Sequence, residues 1–323
     1  MSITFTTTIF AVLKLFLISL GGYIIVRRKV ISEESLGDLS RIILYLTLPA
    51  LVFVTMIDRF NISLFKESIA MPIGALIMTA LAWLLASASG RIFSTPKDDH
   101  FLLTAMVMFG NSWYLPIPLV MSILPKAKAE EAIVLISLVI LVVSPAMWSL
   151  GVYLIAHRPG IRIPLSQLVT PPIVGIILGG ACALTPSARG FLQNRGRFLL
   201  DSLSMIANAT VPMVMILLGG VMGAIKISGG LKWQFILRVA ALKLFILPAI
   251  VIPILYFLPV PNMIKFMIAL QSMVPPATNI IVIAKIYDRP VELISITMLI
   301  TYLISLVTIP LFLHITTLFI PLV

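Results

Sequence analysis

Residues 132–156 contain no charged side chain. A helix needs about 20 apolar residues to cross the hydrocarbon core of a bilayer, and this stretch supplies them. Nine more segments of the same kind are spread along the chain. The ten read as helices at about 5–26, 36–57, 69–90, 101–124, 132–156, 168–184, 199–222, 234–258, 263–286 and 293–319. The connections between them are short; the longest polar breaks are 157–167 and 185–198. An all-α polytopic membrane protein with ten transmembrane helices and no soluble domain is therefore expected.

Composition agrees and excludes other classes. Of 323 residues 60% are hydrophobic and 11% are charged, and the mean hydropathy is +1.14; no soluble domain of this size has such values. A lone Cys182 permits no internal disulfide and no thiolate cluster. The net charge of +11 comes from basic residues standing singly or in threes at segment ends. That is a topology and lipid-headgroup signal rather than a nucleic-acid surface. The first apolar run is too long for a cleavable signal and ends in Arg27, Arg28 and Lys29. One set of loops carries Arg27, Arg28, Lys29, Arg91, Lys97, Arg158, Arg162, Lys226, Lys232, Arg238, Lys285 and Arg289. The other carries Arg59, Lys66, Lys126, Lys128, Arg189, Arg195, Arg197 and Lys265. The richer set is expected in the cytoplasm, with both termini outside the cell membrane. The cluster Arg189, Arg195 and Arg197 pulls the other way.

Two of the ten segments are interrupted. Gly110, Asn111, Ser112, Trp113, Tyr114, Pro116 and Pro118 lie in the fourth; Gln271, Pro275, Pro276, Thr278 and Asn279 lie in the ninth. A proline inside a helix removes a donor and clashes with the preceding turn. Within a bilayer the freed groups must be satisfied by protein or by a water-filled cavity. Discontinuous helices at that depth mark substrate sites in secondary transporters; an ordinary Pro-kinked helix is the plainer reading of each. The two breaks also fall in an internal repeat. Asp38, Ile43, Thr47 and Pro49 recur as Asp201, Ile206, Thr210 and Pro212 at one constant spacing, and Pro116 with Pro275 and Pro145 with Pro310 follow at similar spacings. Five helices per repeat is an odd number, so residues 159–323 are expected to be inverted relative to 1–158, with broken helices 4 and 9 crossing near the midplane. That is an alternating-access architecture.

The side chains at the breaks define a candidate site. Asn111, Ser112, Thr278 and Asn279 offer neutral donors and acceptors. The half-helices beyond each break are expected to present N–H groups to the centre, which suits a carboxylate. Trp113 and Tyr114 can stack on a substrate or simply face lipid or core. Gln271 can line the cavity or bond a neighbouring helix. Lys243 sits deep in the eighth helix, where a cation costs about 2.5–3.5 kcal/mol on insertion scales; it faces a cavity or partner, or it snorkels. Lys14 is read as snorkelling. His314 is a titratable group or a packed hydrogen-bonding residue. Asp38 and Asp201 are candidate coupling groups or N-terminal helix caps.

Several segments resemble the auxin efflux carrier family: residues 44–53, 170–179 and 211–219, Pro275-Pro276-Ala277, and 284–288. The chain is similar to the short bacterial branch, since it lacks a long central loop. Trp113 and Pro116 stand where the family's fourth-helix pattern has glycines. The resemblance implies a fold like that of the bile-acid sodium symporters, with helices 1, 2, 6 and 7 as scaffold, helices 3–5 and 8–10 as the moving domain, and a homodimer. It implies transport of a small organic anion, such as a mono- or dicarboxylate or an auxin-like acid, without a cofactor. A sodium-driven bile-acid-type symporter is the alternative; the lack of Asp or Glu inside helices 3–5 and 8–10 weighs against it. An enzyme is not expected, because His100, His157 and His314 make no ligand spacing and no nucleophile motif occurs.

Overall fold

The computed structural model describes residues 5–156, 168–225 and 231–321. The expected break at 157–167, the boundary between the two halves, Arg158, Arg162 and Lys226 lie outside them. The described residues are almost entirely helical, and the chain is an all-α polytopic membrane protein. Helix α1 spans Phe5–Arg27, α2 Glu33–Arg59, α3 Ile62–Ile92 and α6 Lys126–Ala156. The fourth apolar segment is two helices, α4 (Lys97–Met108) and α5 (Pro116–Ile123). Beyond the undescribed stretch come α7 (Pro171–Leu184) and α8 (Pro186–Gln193), then α9 (Arg197–Ala224) and α10 (Trp233–Phe257). The ninth segment is again two helices, α11 (Asn262–Ser272) and α12 (Asn279–Ile286), and α13 spans Glu292–Phe319. Seven of these are long and apolar enough to cross a membrane singly, and the bent pair α7–α8 makes an eighth.

The helix limits follow from local chemistry. Thr170, held extended by the proline after it, precedes α7, and Pro171 and Pro172 occupy the first turn, where a missing N–H costs nothing. Proline also explains the widened turns. Ile43–Thr47 and Ala241–Ile246 adopt π geometry just before Pro49 and Pro248, and Met147–Gly151 does so just after Pro145. A proline cannot donate to the preceding turn, so the ladder shifts by one residue instead of breaking. At three helix ends the chain closes with paired bonds through a residue in the left-handed region: Lys29, Ser94 and Asp288, with φ of 59°, 45° and 51°. Val30 N donates to Ile25 O, Thr95 N to Gly90 O and Arg289 N to Ala284 O, the longer bond of a Schellman motif in each case.

Residues 185–198 were expected to be a polar connection; most of them form α8, bent 100° from α7. Arg189 on α8 donates to the carbonyls of Asp58 (3.0 Å) and Phe60 (3.4 Å), which are orphaned at the end of α2. Asp38 and Asp201 are not caps. Ser32 caps the first turn of α2 by accepting from Ser35 N at 3.2 Å, and Gly196 precedes α9. Both carboxylates are exposed and pair with arginines one turn away, Asp38 with Arg41 and Asp201 with Arg197.

The helices associate in two groups. α1 packs along the second half of α9, and α7 along the second half of α2. Glycine brings the backbones together there: a Cβ on Gly22 or Gly219 would overlap the carbonyl of Ile216 or Ser19, and one on Gly175 would lie 2.9 Å from Pro49 O. Such small-residue contacts are the usual means of close packing where lipid supplies no hydrophobic drive. The other group is α3–α6 with α10–α13. Across it, Lys232 pairs with Asp99 at 2.8 Å and Arg238 Nη1 donates to Thr95 Oγ1 at 2.6 Å. Arg59 on α2 reaches Glu130 on α6 at 2.6 Å, linking the groups.

Candidate functional site

The two helix breaks meet. Past Met108 and Met273 the two segments leave the helices, and they run antiparallel at Gly110 and Pro276. Asn111 N donates to Pro275 O at 2.8 Å, and Ala277 N donates to Phe109 O at 2.9 Å. Each break therefore satisfies backbone groups that the other leaves unpaired, which is what an interrupted helix needs within a bilayer. Pro116 and Pro275 are not alike in this geometry. Pro116 opens α5, whereas Pro275 lies in the non-helical stretch and uses its carbonyl in the bridge.

Side chains extend the bridge into a network. Asn111 Oδ1 accepts from Tyr114 N at 2.9 Å, so its amide nitrogen faces the other way and donates to the Tyr302 hydroxyl of α13 at 2.5 Å. Gln271 Nε2 donates to Ser112 O at 3.2 Å, while its Oε1 is buried without a partner. The Tyr114 hydroxyl faces Ser40 of α2. Asn111, Ser112, Tyr114, Pro116, Pro118, Gln271, Pro275 and Pro276 are all buried; Trp113, Thr278 and Asn279 are half-buried. Trp113 packs on the cluster of Val52, Met56, Phe60 and Ile176 from α2 and α7, a core contact.

The N–H groups expected to face the centre are largely used up. In α5, Pro116 and Pro118 have none, Ile117 N donates to Trp113 O and Leu119 N to Leu115 O. In α12, Ile280 N and Ile281 N donate to Ala277 O and Thr278 O. What remains for a ligand is the positive end of each dipole and the side chains.

Lys243 is 1% exposed and lies in the widened turn of α10. Its ammonium rests against Gly110: a Cβ there would stand 3.0 Å from Nζ and 2.7 Å from Val274 Cγ2. Gly110 and Val274 each lie two residues past the end of a half-helix, so this amine sits beside the negative ends of α4 and α11. Among the described residues it has no carboxylate partner. Lys14 is exposed on α1. The His314 ring lies 5.5 Å from that of Phe5 in a tilted arrangement, with Nδ1 buried and unpartnered, and Asp38 and Asp201 stay on the surface; the structure does not bring these three into the network.

Tyr302 is the residue that sequence reasoning missed. A tyrosine amid an apolar helix needs a partner for its hydroxyl, and that signal was available at Thr301-Tyr302. Tyr302 and Thr278 line a narrow cleft with Ile281, Met298 and Leu299, facing Leu218, Val221, Met222 and Ile225 of α9 and the residue after it. The cleft has room for about one water.

Known proteins resemble this sequence. An uncharacterized transporter of Methanocaldococcus jannaschii is 23% identical over 309 residues, covering 93% of this chain and 96% of the relative. An uncharacterized transporter of Methanothermobacter thermautotrophicus is 26% identical over 308 residues, 95% and 96% of the two chains. Protein PIN-LIKES 7 of Arabidopsis thaliana is 27% identical over 150 residues, 44% of this chain and 38% of its own length. The family described as membrane transport protein matches residues 7–164 and 160–313. With crossed helix breaks inside a polytopic bundle and a family match running nearly end to end, the chain belongs to this family of membrane transporters, and its resemblance to the auxin efflux carriers is borne out.

Proposed function

We propose that this transporter is a carrier moving a small organic anion, a mono- or dicarboxylate or an auxin-like acid, across the cell membrane by elevator-type alternating access. The observation that carries the reading is the reciprocal backbone bridge between Asn111 and Pro275 and between Ala277 and Phe109. It joins two broken helices at a buried point surrounded by amides, hydroxyls and one ammonium, with no carboxylate in the network. An anion entering there meets donors and a positive charge. A cation would surrender its hydration for neutral oxygens alone.

The helix pairs support the mechanical half of the reading. α1 lies against α9 and α7 against α2. An inverted repeat relating residues 1–158 to 159–323 would exchange these two pairs. In this reading the chain crosses the membrane ten times; α1, α2, α7 and α9 form the static scaffold of a homodimer; α3–α6 and α10–α13 carry the site. Both termini face outward. Counterflow in proteoliposomes tests the whole. Saturable uptake of a labelled carboxylate, accelerated by unlabelled carboxylate inside, is expected. Non-saturating flux with single-channel currents, or exchange of organic cations only, would reject it.

A further inference from the structure

The amide of Asn111 is committed within the protein. Its oxygen holds Tyr114 N, and that bond fixes which end of the amide points at Tyr302: the donor end. The phenol oxygen of Tyr302 is therefore an acceptor, and its own proton must point elsewhere. Among the described residues it finds no acceptor, although Tyr302 is only 6% exposed. A buried hydroxyl proton without an acceptor is a cost that a native structure keeps for a reason. The same residue lines the cleft against α9, with the half-buried Thr278 beside it. Every other group lining that cleft is apolar.

We propose that Tyr302 is the direct ligand of the substrate's anionic head and that Asn111 is its positioning residue. The assignment rests on the organic-anion reading above and specifies how that site works. The chain of donors runs one way: Tyr114 N–H to Asn111 Oδ1, Asn111 Nδ2–H to the phenol oxygen, phenol O–H to the anion. A hydroxyl that already accepts a hydrogen bond is a stronger donor, because each bond polarises the next. The Thr278 hydroxyl, on the same wall as Tyr302, supplies a second donor. With room for about one water and an almost wholly apolar exposed surface, the cleft is closed and leaves this donor covered. Ligand entry requires α9 to part from α12 and α13, so engagement of the phenol is coupled to movement between the two helix groups. The apolar walls then contact the rest of the substrate, and the head alone meets polar atoms.

Binding measurements on purified full-length protein test this, with propionate, malonate, malate and phenylacetate as probes. The best-bound carboxylate is expected to bind Tyr302→Phe about 10- to 100-fold more weakly, the loss of one hydrogen bond to a charged group. Replacement of Tyr302 by 3-fluorotyrosine, whose O–H is more acidic and whose shape is nearly unchanged, is expected to tighten binding several-fold. Phenylalanine at the exposed Tyr256 is expected to change nothing. If wild type and Tyr302→Phe bind the carboxylate equally, Tyr302 is not the ligand, while the carrier reading stands. If Tyr302→Phe does not fold, unchanged affinity of the fluorotyrosine protein overturns the assignment by itself. If no carboxylate binds the wild type and counterflow shows a different class of solute, the anion reading fails and this inference fails with it.

Discussion

The hydroxyl of Thr210 donates to the backbone carbonyl of Thr47 at 3.0 Å. Both residues are buried, and the proposed internal repeat equates their two positions. Contact between equivalent positions is what a two-fold relation produces at its axis. Thr47 ends the widened turn before Pro49, where the helix ladder is already displaced. Replacing Thr210 with valine removes the donor at constant shape and is expected to destabilise the protein by about 1 kcal/mol; serine is expected to retain most of the stability. Thermal unfolding in detergent compares the three, and equal midpoints would mean that the bond contributes nothing.

Asn111→Ala is expected to abolish transport and Asn279→Ala to reduce it strongly, at unchanged membrane abundance. The Asn111 change leaves Tyr114 N unsatisfied and the Tyr302 hydroxyl unsupported, and each buried unsatisfied group costs about 1–3 kcal/mol. Asn279 opens α12 beside Thr278. Counterflow rates normalised to protein content check both; near-normal rates in the two variants would reject the site.

Lys243→Ala is expected to weaken carboxylate binding by about tenfold, near 1.4 kcal/mol, and Lys243→Arg by less, because arginine keeps a cation beside the ends of α4 and α11. Calorimetry on the three proteins decides. Equal affinities would remove the ammonium from the mechanism.

Replacing sodium with choline is expected to leave uptake unchanged. The buried ammonium already occupies the electrostatic position that a coupling cation would take, and no carboxylate in the crossover network offsets a second positive charge. Sodium-dependent uptake would favour the symporter alternative.

Gly219→Ala is expected to cost about 1–3 kcal/mol or more, since its methyl group would overlap the carbonyl of Ser19 and force α1 from α9. Unfolding in denaturing detergent, compared with Gly21→Ala, where no neighbour lies within 4 Å, isolates the steric effect.

The sequence by itself determined where the helices lie and where they are interrupted. Helix limits fall within a few residues of expectation over most of the chain, because length and hydropathy are local properties and a missing proline N–H acts on its own turn. The expectation that the two breaks meet was legible from their prolines and amides. Only the tertiary structure decided which groups meet. The Asn111–Tyr302 bond joins residues 191 positions apart, and no local pattern encodes it. The same holds for Lys243, whose neighbour is Gly110 because packing of α10 places it there. Local reasoning also offered a cap reading of Asp38 and Asp201 that fails. A carboxylate near a helix start reads as a cap, yet the caps lie outside the apolar run, where Ser32 and Gly196 begin helices longer than hydropathy requires. Periodicity places a side chain along its own helix; its partner is fixed by the packing of helices from both halves of the chain.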